Sequence, residues 1–396
     1  MYALKRFLML GVAAAVTGPG MSTAVAASPV WQPTERFGTP GANVGSFPVV
    51  DAAGTVTILS VAPGDRSLRL DVQRRTHDGE WGSPLTISNH PVLARGPRLF
   101  GRDIVVGEDG TVTVVWIGST SSPDTIHVMA RSVTRDGVWM QPETVASFRP
   151  MSILPSERDA DVAAAVDTDG RLVVAWTSGG SVMARTRASD GTWGDPHLLS
   201  GRCGEMVEVA ANRRGVAAVV WSCGDRILGS VRDAGGTWSA GTQLSRPRHE
   251  SLMPTVAVDG DGTVTAAWST SRRPGPARFF EEYSIESRRH PVGAAWSSRQ
   301  QLAGTGIGVR MVADRGVART TAVVSTPPGL RARVHDGRRW GTPSGVSPPD
   351  VTPGDFDVAS DGAAGIVVAW RPSGRSLTGP APVTVTSLID CVWSSP

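Results

Sequence analysis

The thirteen tryptophans of this chain recur at two positions of a repeated unit, and that regularity constrains the fold more than any local motif. Five end an apolar run behind a Gly turn: GTVTVVW at Trp116, GRLVVAW at Trp176, GVAAVVW at Trp221, GTVTAAW at Trp268 and IVVAW, after Gly365, at Trp370. The others mostly sit in or beside a tight turn that leads to proline, as in DGEWGSP (Trp81), DGVWMQP (Trp139), DGTWGDP (Trp193) and DGRRWGTP (Trp340). Trp31, Trp238, Trp296 and Trp393 occupy looser versions of that turn. Such a pattern specifies an architecture and leaves the activity open.

Alignment on the tryptophan-ended run gives seven units, starting near Pro48, Asp103, Asp161, Glu205, Pro254, Val309 and Asp355. Within each, apolar stretches of four to seven residues, rich in Val and Ala, alternate with Asp-Gly pairs. This is the pattern of short strands joined by tight hairpins, four strands (a to d) to a unit. Successive turn tryptophans lie from 44 residues (Trp296 to Trp340) to 58 residues (Trp81 to Trp139) apart, near the roughly 40–50 of a propeller blade. No unit carries a long apolar pattern at helical spacing, and a β-sandwich would not bring the same tryptophans back. The fold expected is all-β: a seven-bladed β-propeller of four-stranded antiparallel blades.

The ends of the chain sharpen this expectation. VWQPTERFG near the start resembles the end of a unit and has no strands a to c before it, while the last unit stops at DCVWSSP without a strand d. Residues 30–38 are therefore expected to complete the last blade, leaving no open edge. Residues 1–26 read as a signal peptide: Lys5 and Arg6, the stretch FLMLGVAAAV and the small-residue site Ala24-Val25-Ala26. Residues 27–396 then form one secreted propeller domain. No later run approaches the roughly 20 apolar residues of a membrane span.

Removing Lys5 and Arg6 from the 39 basic residues leaves 37 against 36 acids, no footprint for nucleic acid. Three cysteines in an exported chain suggest one disulfide. Cys203 and Cys223 fall at the same end of one two-stranded segment and are paired, leaving Cys391 free. No C-x-x-C pair exists to hold zinc, and neither a metal nor a cofactor is expected. The chain is expected to be a monomer.

The DGxW turns and VxVAW strands resemble six- and seven-bladed secreted propellers of the sialidase-like (BNR or Asp-box) group, and also seven-bladed bacterial lectins. Ser189-Asp190-Gly191-Thr192-Trp193 is close to an Asp box but lacks one spacing residue, which places it at a turn. The resemblance covers nearly the whole mature chain, and its motifs are structural. Sialidases of that group hold a substrate carboxylate with three arginines, and use a tyrosine paired with a glutamate as nucleophile and an aspartate as acid. Tyr283 is the one tyrosine outside the leader, and the Arg-Ile-Pro type motif is absent.

In a propeller the d-to-a and b-to-c loops share one face, where ligands meet the central tunnel. The longest such loop inserts RRPGPARFFEEYSIESRR between strands b and c of the fifth unit. Arg273, Arg278, Phe280, Glu282 and Tyr283, with Arg102 and His249 at the rim, are the ligand-binding candidates, because aromatics stack on sugar rings and charges bond their hydroxyls. Asp103, Asp161, Glu205, Glu208, Asp355 and Asp357 begin a strands. Among these Asp103 and Asp161, with Tyr283, are the catalytic candidates, since two carboxylates roughly 5–9 Å apart perform glycoside hydrolysis. The leading expectation is a non-catalytic binder of carbohydrate or an extracellular protein; the alternative is a glycoside hydrolase or lyase using the rim carboxylates.

Overall fold

A computed structural model describes residues 35–37, 44–63, 67–75, 81–91, 101–119, 125–149, 160–201, 203–271, 283–314, 316–327, 329–348, 353–360, 365–372 and 383–388. The signal peptide, Arg273, Arg278, Phe280, Glu282 and Cys391 lie outside them.

The chain is a β-propeller of four-stranded antiparallel blades. After β1 (Glu35–Phe37), six sheets each take four consecutive strands. They are β2 (Val44–Val50), β3 (Val56–Pro63), β4 (Ser67–Arg75), β5 (Leu85–Pro91); β6 (Arg102–Val106), β7 (Val112–Ser119), β8 (Ile126–Val133), β9 (Glu143–Phe148); β10 (Val162–Val166), β11 (Leu172–Ser178), β12 (Ser181–Arg187), β13 (His197–Ser200); β14 (Val207–Ala211), β15 (Ala217–Cys223), β16 (Arg226–Arg232), β17 (Thr242–Gln243); β18 (Glu250–Val258), β19 (Val264–Ser271), β20 (Tyr283–His290), β21 (Gln300–Ala303); and β22 (Val309–Ala313), β23 (Thr320–Thr326), β24 (Gly329–His335), β25 (Ser344–Gly345). The continuous blades thus number six, one fewer than the seven expected. The last unit differs because its own sequence supplies only β26 (Pro353–Ser360), β27 (Ile366–Pro372) and β28 (Val383–Leu388), and the fourth strand of that sheet is β1, with Arg36 opposite Thr384.

First strands pack on one another in chain order, β2 on β6, β6 on β10 and so on to β26, and β26 also packs on β2. Each inner strand is therefore covered on both faces, which explains runs such as Ala217–Cys223 buried at every residue. The core consists of layers between sheets: Val115, Ile117 and Val128 meet Val162, Val174 and Trp176 in one such layer. Trp221, Trp268 and Trp370 fill equivalent places in theirs.

Turn tryptophans do a different job. Trp81, Trp139, Trp193, Trp238 and Trp340 each make a single bridge back to strand c, as Trp193 does to Arg187. In that turn the Thr192 N–H donates to Asp190 Oδ1 at 2.8 Å, and Gly191 holds φ 89°, a conformation that favours glycine. The Asp-Gly motif is thereby satisfied locally. Asp259 acts likewise at its hairpin, accepting from the Asp261 and Thr263 N–H groups.

Candidate functional site

Register places four charged residues on one level of the central strands. Asp103 lies opposite Val115, Glu208 opposite Val220, Arg310 opposite Val323 and Asp357 opposite Ala369. Three of these are one step inside the row of core tryptophans. Asp161 comes two residues earlier on its strand and so on the same face. The axis of the propeller is thus ringed near one end by carboxylates and one guanidinium.

The carboxylates differ in how they are held. Asp103 Oδ1 accepts from its neighbour Ile104 N–H at 2.7 Å, and Oδ2 accepts from Ala164 N–H of the next sheet at 2.8 Å. Asp161 repeats the arrangement with Val162 N–H and, one sheet on, Val207 N–H, both at 3.0 Å. These two acids staple adjacent blades. Asp357 Oδ1 accepts from Val358 N–H at 2.9 Å and stands 3.7 Å from Arg310 Nε. Among the described residues, burial and neighbouring charges are what act on Glu208.

Enclosure by protein makes ionisation costly for all four. Burial pushes Glu208 up to about 8, with Arg310 opposing and Asp103, Asp357 and Asp161 reinforcing the shift. Burial raises Asp103 to about 7, against the two N–H bonds it accepts. Asp161 rises to about 6, held back by its two N–H donors and by Arg310 and Arg102. Asp357 also rises to about 6, restrained by Arg310 and the Val358 N–H. The Asp357 and Arg310 side chains remain 23% and 32% exposed, so this end of the axis is open to a small probe. Of the four, Glu208 is pushed furthest toward its neutral form, and Asp357 is the one with a guanidinium beside it.

Tyr283 and His249 belong to a separate group at the end of the β18–β21 sheet. Glu250 and Tyr283 both pair with Ser271 from opposite sides, and Tyr283 Oη donates to Glu250 Oε2 at 3.3 Å. Tyr283 is buried. His249 Nδ1 is buried without a partner among the described residues. Arg102 begins β6 opposite Trp116 and acts on Asp161. The expected disulfide joins Cys203 to Cys223, tying the approach to β14 to the end of β15.

Arg310 and the Tyr283–Glu250 bond escaped the sequence reading, although a signal for Arg310 existed. It occupies the position of Asp103 and Glu208 in its own unit, and aligning units residue by residue would have exposed it. Glu250 pairs with Tyr283 across 33 residues, through a third strand, and nothing in the local sequence announces that.

No protein-family model matches the chain, and no curated protein sequence matches it. Solved structures do. A polysaccharide lyase is similar over 89% of this chain and 91% of its own, with 10% identity and a TM-score of 0.55. The GH93 α-L-arabinofuranosidase of Fusarium graminearum in complex with arabinobiose is similar over 90% and 97%, with 12% identity and a TM-score of 0.51. A mutant of that organism's α-L-arabinofuranosidase with an iminosugar inhibitor is similar over 86% and 91%, with 13% identity and a TM-score of 0.50. At these identities the likeness is one of fold.

Proposed function

We propose that this protein is a carbohydrate-processing propeller, a glycoside hydrolase working at the open end of its axis. The observation that carries the reading is the placement of Glu208, Arg310 and Asp357 on one level of the central strands, with Arg310 Nε 3.7 Å from Asp357 Oδ1, in surroundings that raise Glu208 further than Asp357. Glycoside cleavage needs one carboxylic acid to protonate the leaving oxygen and one carboxylate to activate water or attack the sugar. Environments that drive two acids apart assign those roles. Glu208 is the acid and Asp357 the base or nucleophile, with Arg310 keeping Asp357 ionised. Asp103 and Asp161, two of the three catalytic candidates from the sequence, become residues that hold adjacent blades together, because their oxygens are engaged by backbone N–H groups. The similar folds of an α-L-arabinofuranosidase and a polysaccharide lyase support the substrate class.

The same reading includes a seventh blade formed by β26–β28 with β1, closing the ring, and an exported monomer. The β1–β28 pairing and the packing of β26 on β2 support the closure. The Cys203–Cys223 disulfide supports an oxidising compartment, and among the described residues no helix is long and apolar enough to cross a membrane.

A second reading, glycan binding without chemistry, draws on the stapling of Asp103 and Asp161: carboxylates used to hold blades together line propeller axes without reacting. Incubating the full chain and its Glu208→Gln variant with a panel of neutral and acidic polysaccharides separates the two. Hydrolysis expects new reducing ends from at least one polysaccharide and a loss of about 100-fold or more in the variant. Retention of a glycan with no cleavage would leave the binding reading, and equal cleavage by both proteins would remove Glu208.

A further inference from the structure

Strand β18, like β2 and β26, starts with residues paired ahead of a register shift, and in β18 that extension is the longest, three pairs against one. It begins at Glu250 and pairs through Ser251 and Leu252 with Thr270 and Ser269, then shifts register before Thr255 enters the level of Asp103 and Glu208. Its first residues therefore lie beyond the level of the acid ring, toward the end of the sheets where Asp161 sits. The two described non-glycine residues with positive φ bracket this extension, Arg248 at 63° and Met253 at 53°. Neither has a side chain that favours that conformation, and such backbone is kept where surrounding structure over-determines it.

The raised segment presents Glu250, part-exposed, with Oε2 fixed by the buried Tyr283 hydroxyl. Beneath it lies a bed of buried hydroxyls, in which Ser251 Oγ and Thr270 Oγ1 are 3.3 Å apart. His249 stands beside it with its Nδ1 buried and unpartnered among the described residues. The hydroxyls stay buried and serve each other, while the part-exposed carboxylate of Glu250 only accepts hydrogen bonds, which a polyol can donate.

We propose that Glu250, oriented by Tyr283 and flanked by His249, is a subsite for an outlying neutral sugar residue of a glycan whose reacting unit lies at the acid ring. The sugar donates its hydroxyls to Glu250; a uronate would set a second negative charge against that carboxylate. The proposal rests on the mouth being a glycan site. Tyr283 acts here as a positioning residue, through Glu250.

Calorimetric titration tests it, using the full chain and its Tyr283→Phe and Glu250→Gln variants against neutral and uronic-acid hexasaccharides and their disaccharides. Melting temperatures within two or three degrees of wild type, on the order of 1 kcal/mol, confirm that the variants fold. The expected result is a neutral hexasaccharide bound at least ten-fold tighter than its disaccharide, with both variants erasing that preference. An unchanged preference in both variants overturns the subsite while leaving the acid ring standing. Exclusive binding of uronic-acid hexasaccharides overturns it as well. No binding of any oligosaccharide to wild type overturns the subsite and the glycan reading together. Loss of turnover in Tyr283→Phe on every substrate regardless of length would put Tyr283 in the chemistry and end its role as a positioning residue.

Discussion

The guanidinium of Arg333 donates from Nη1 to the Leu302 carbonyl of the neighbouring blade at 2.9 Å, while its Nε donates to the Gly341 carbonyl of its own turn at 2.8 Å. Arg131 does the same with Ile87 and Met140, and Arg185 with Val145 and Gly194. One side chain on strand c thus fixes the c-to-d turn and binds it to the preceding blade. Arg333→Met keeps the aliphatic stem and removes both bonds. The expected loss is about 1–3 kcal/mol, the usual value for charged hydrogen bonds, read as a lower urea midpoint with an unchanged slope.

The acid ring makes stability depend on pH. Asp103, Asp161, Glu208 and Asp357 have folded values of about 7, 6, 8 and 6, above the ordinary carboxyl range near 4. Between about pH 4 and 8 the folded state binds more protons than the unfolded, so this contribution to stability falls as pH rises. Glu208→Gln removes the member with the highest value. Its melting temperature, relative to wild type, is expected to be more favourable at pH 8.5 than at pH 6; a constant difference would contradict the burial of a titrating Glu208.

His335 works in the opposite direction at lower pH. Burial and the charge of Arg289 lower it to about 4, and its Nδ1 accepts from Gly337 N–H. A histidine folded in its neutral form contributes stability above its unfolded value near 6.5, and loses it as pH falls from there toward 4. Proton NMR is expected to show the His335 ring unchanged from pH 8 to pH 5. A midpoint near 6.5 would mean that the ring is solvated.

The Cys203–Cys223 bond closes a loop with a sequence separation of 20. Chain entropy gives such a crosslink about 3 kcal/mol. Replacing both cysteines by serine is expected to lower stability by roughly that amount in denaturant unfolding, and reductant should destabilise wild type but leave the double variant unaffected.

If β1 closes the ring, deleting residues 29–40 leaves β28 as an open edge. Aggregation or a large fall in melting temperature is expected. A truncated chain that melts like the full one would contradict closure.

Much of this fold was legible because its determinants are local and repeated. Asp190, Gly191 and Trp193 specify a turn within a few residues, and Trp176 or Trp221 marks a strand covered on both sides. The disulfide followed from placing Cys203 and Cys223 at the same end of a hairpin. The site was less legible because it is assembled from different units. Asp103 and Asp161 look reactive in sequence, yet their oxygens serve Ala164 and Val207 in the next blades, contacts 61 and 46 residues away. Arg310 acts on Glu208 from two blades along the ring, and only the register that levels them makes the pair visible.

Glu208 carries the central claim, as the acid of the proposed reaction. The measurement that tests it is the pH dependence of kcat/KM on a cleaved polysaccharide, for wild type and for Glu208→Gln. A bell with limbs near 6 and 8 is expected for wild type, with the alkaline limb lost together with about 100-fold or more of the rate in the variant. A wild-type profile flat from pH 7 to 9, or an alkaline limb that survives the substitution, would contradict the assignment of Glu208 as the acid.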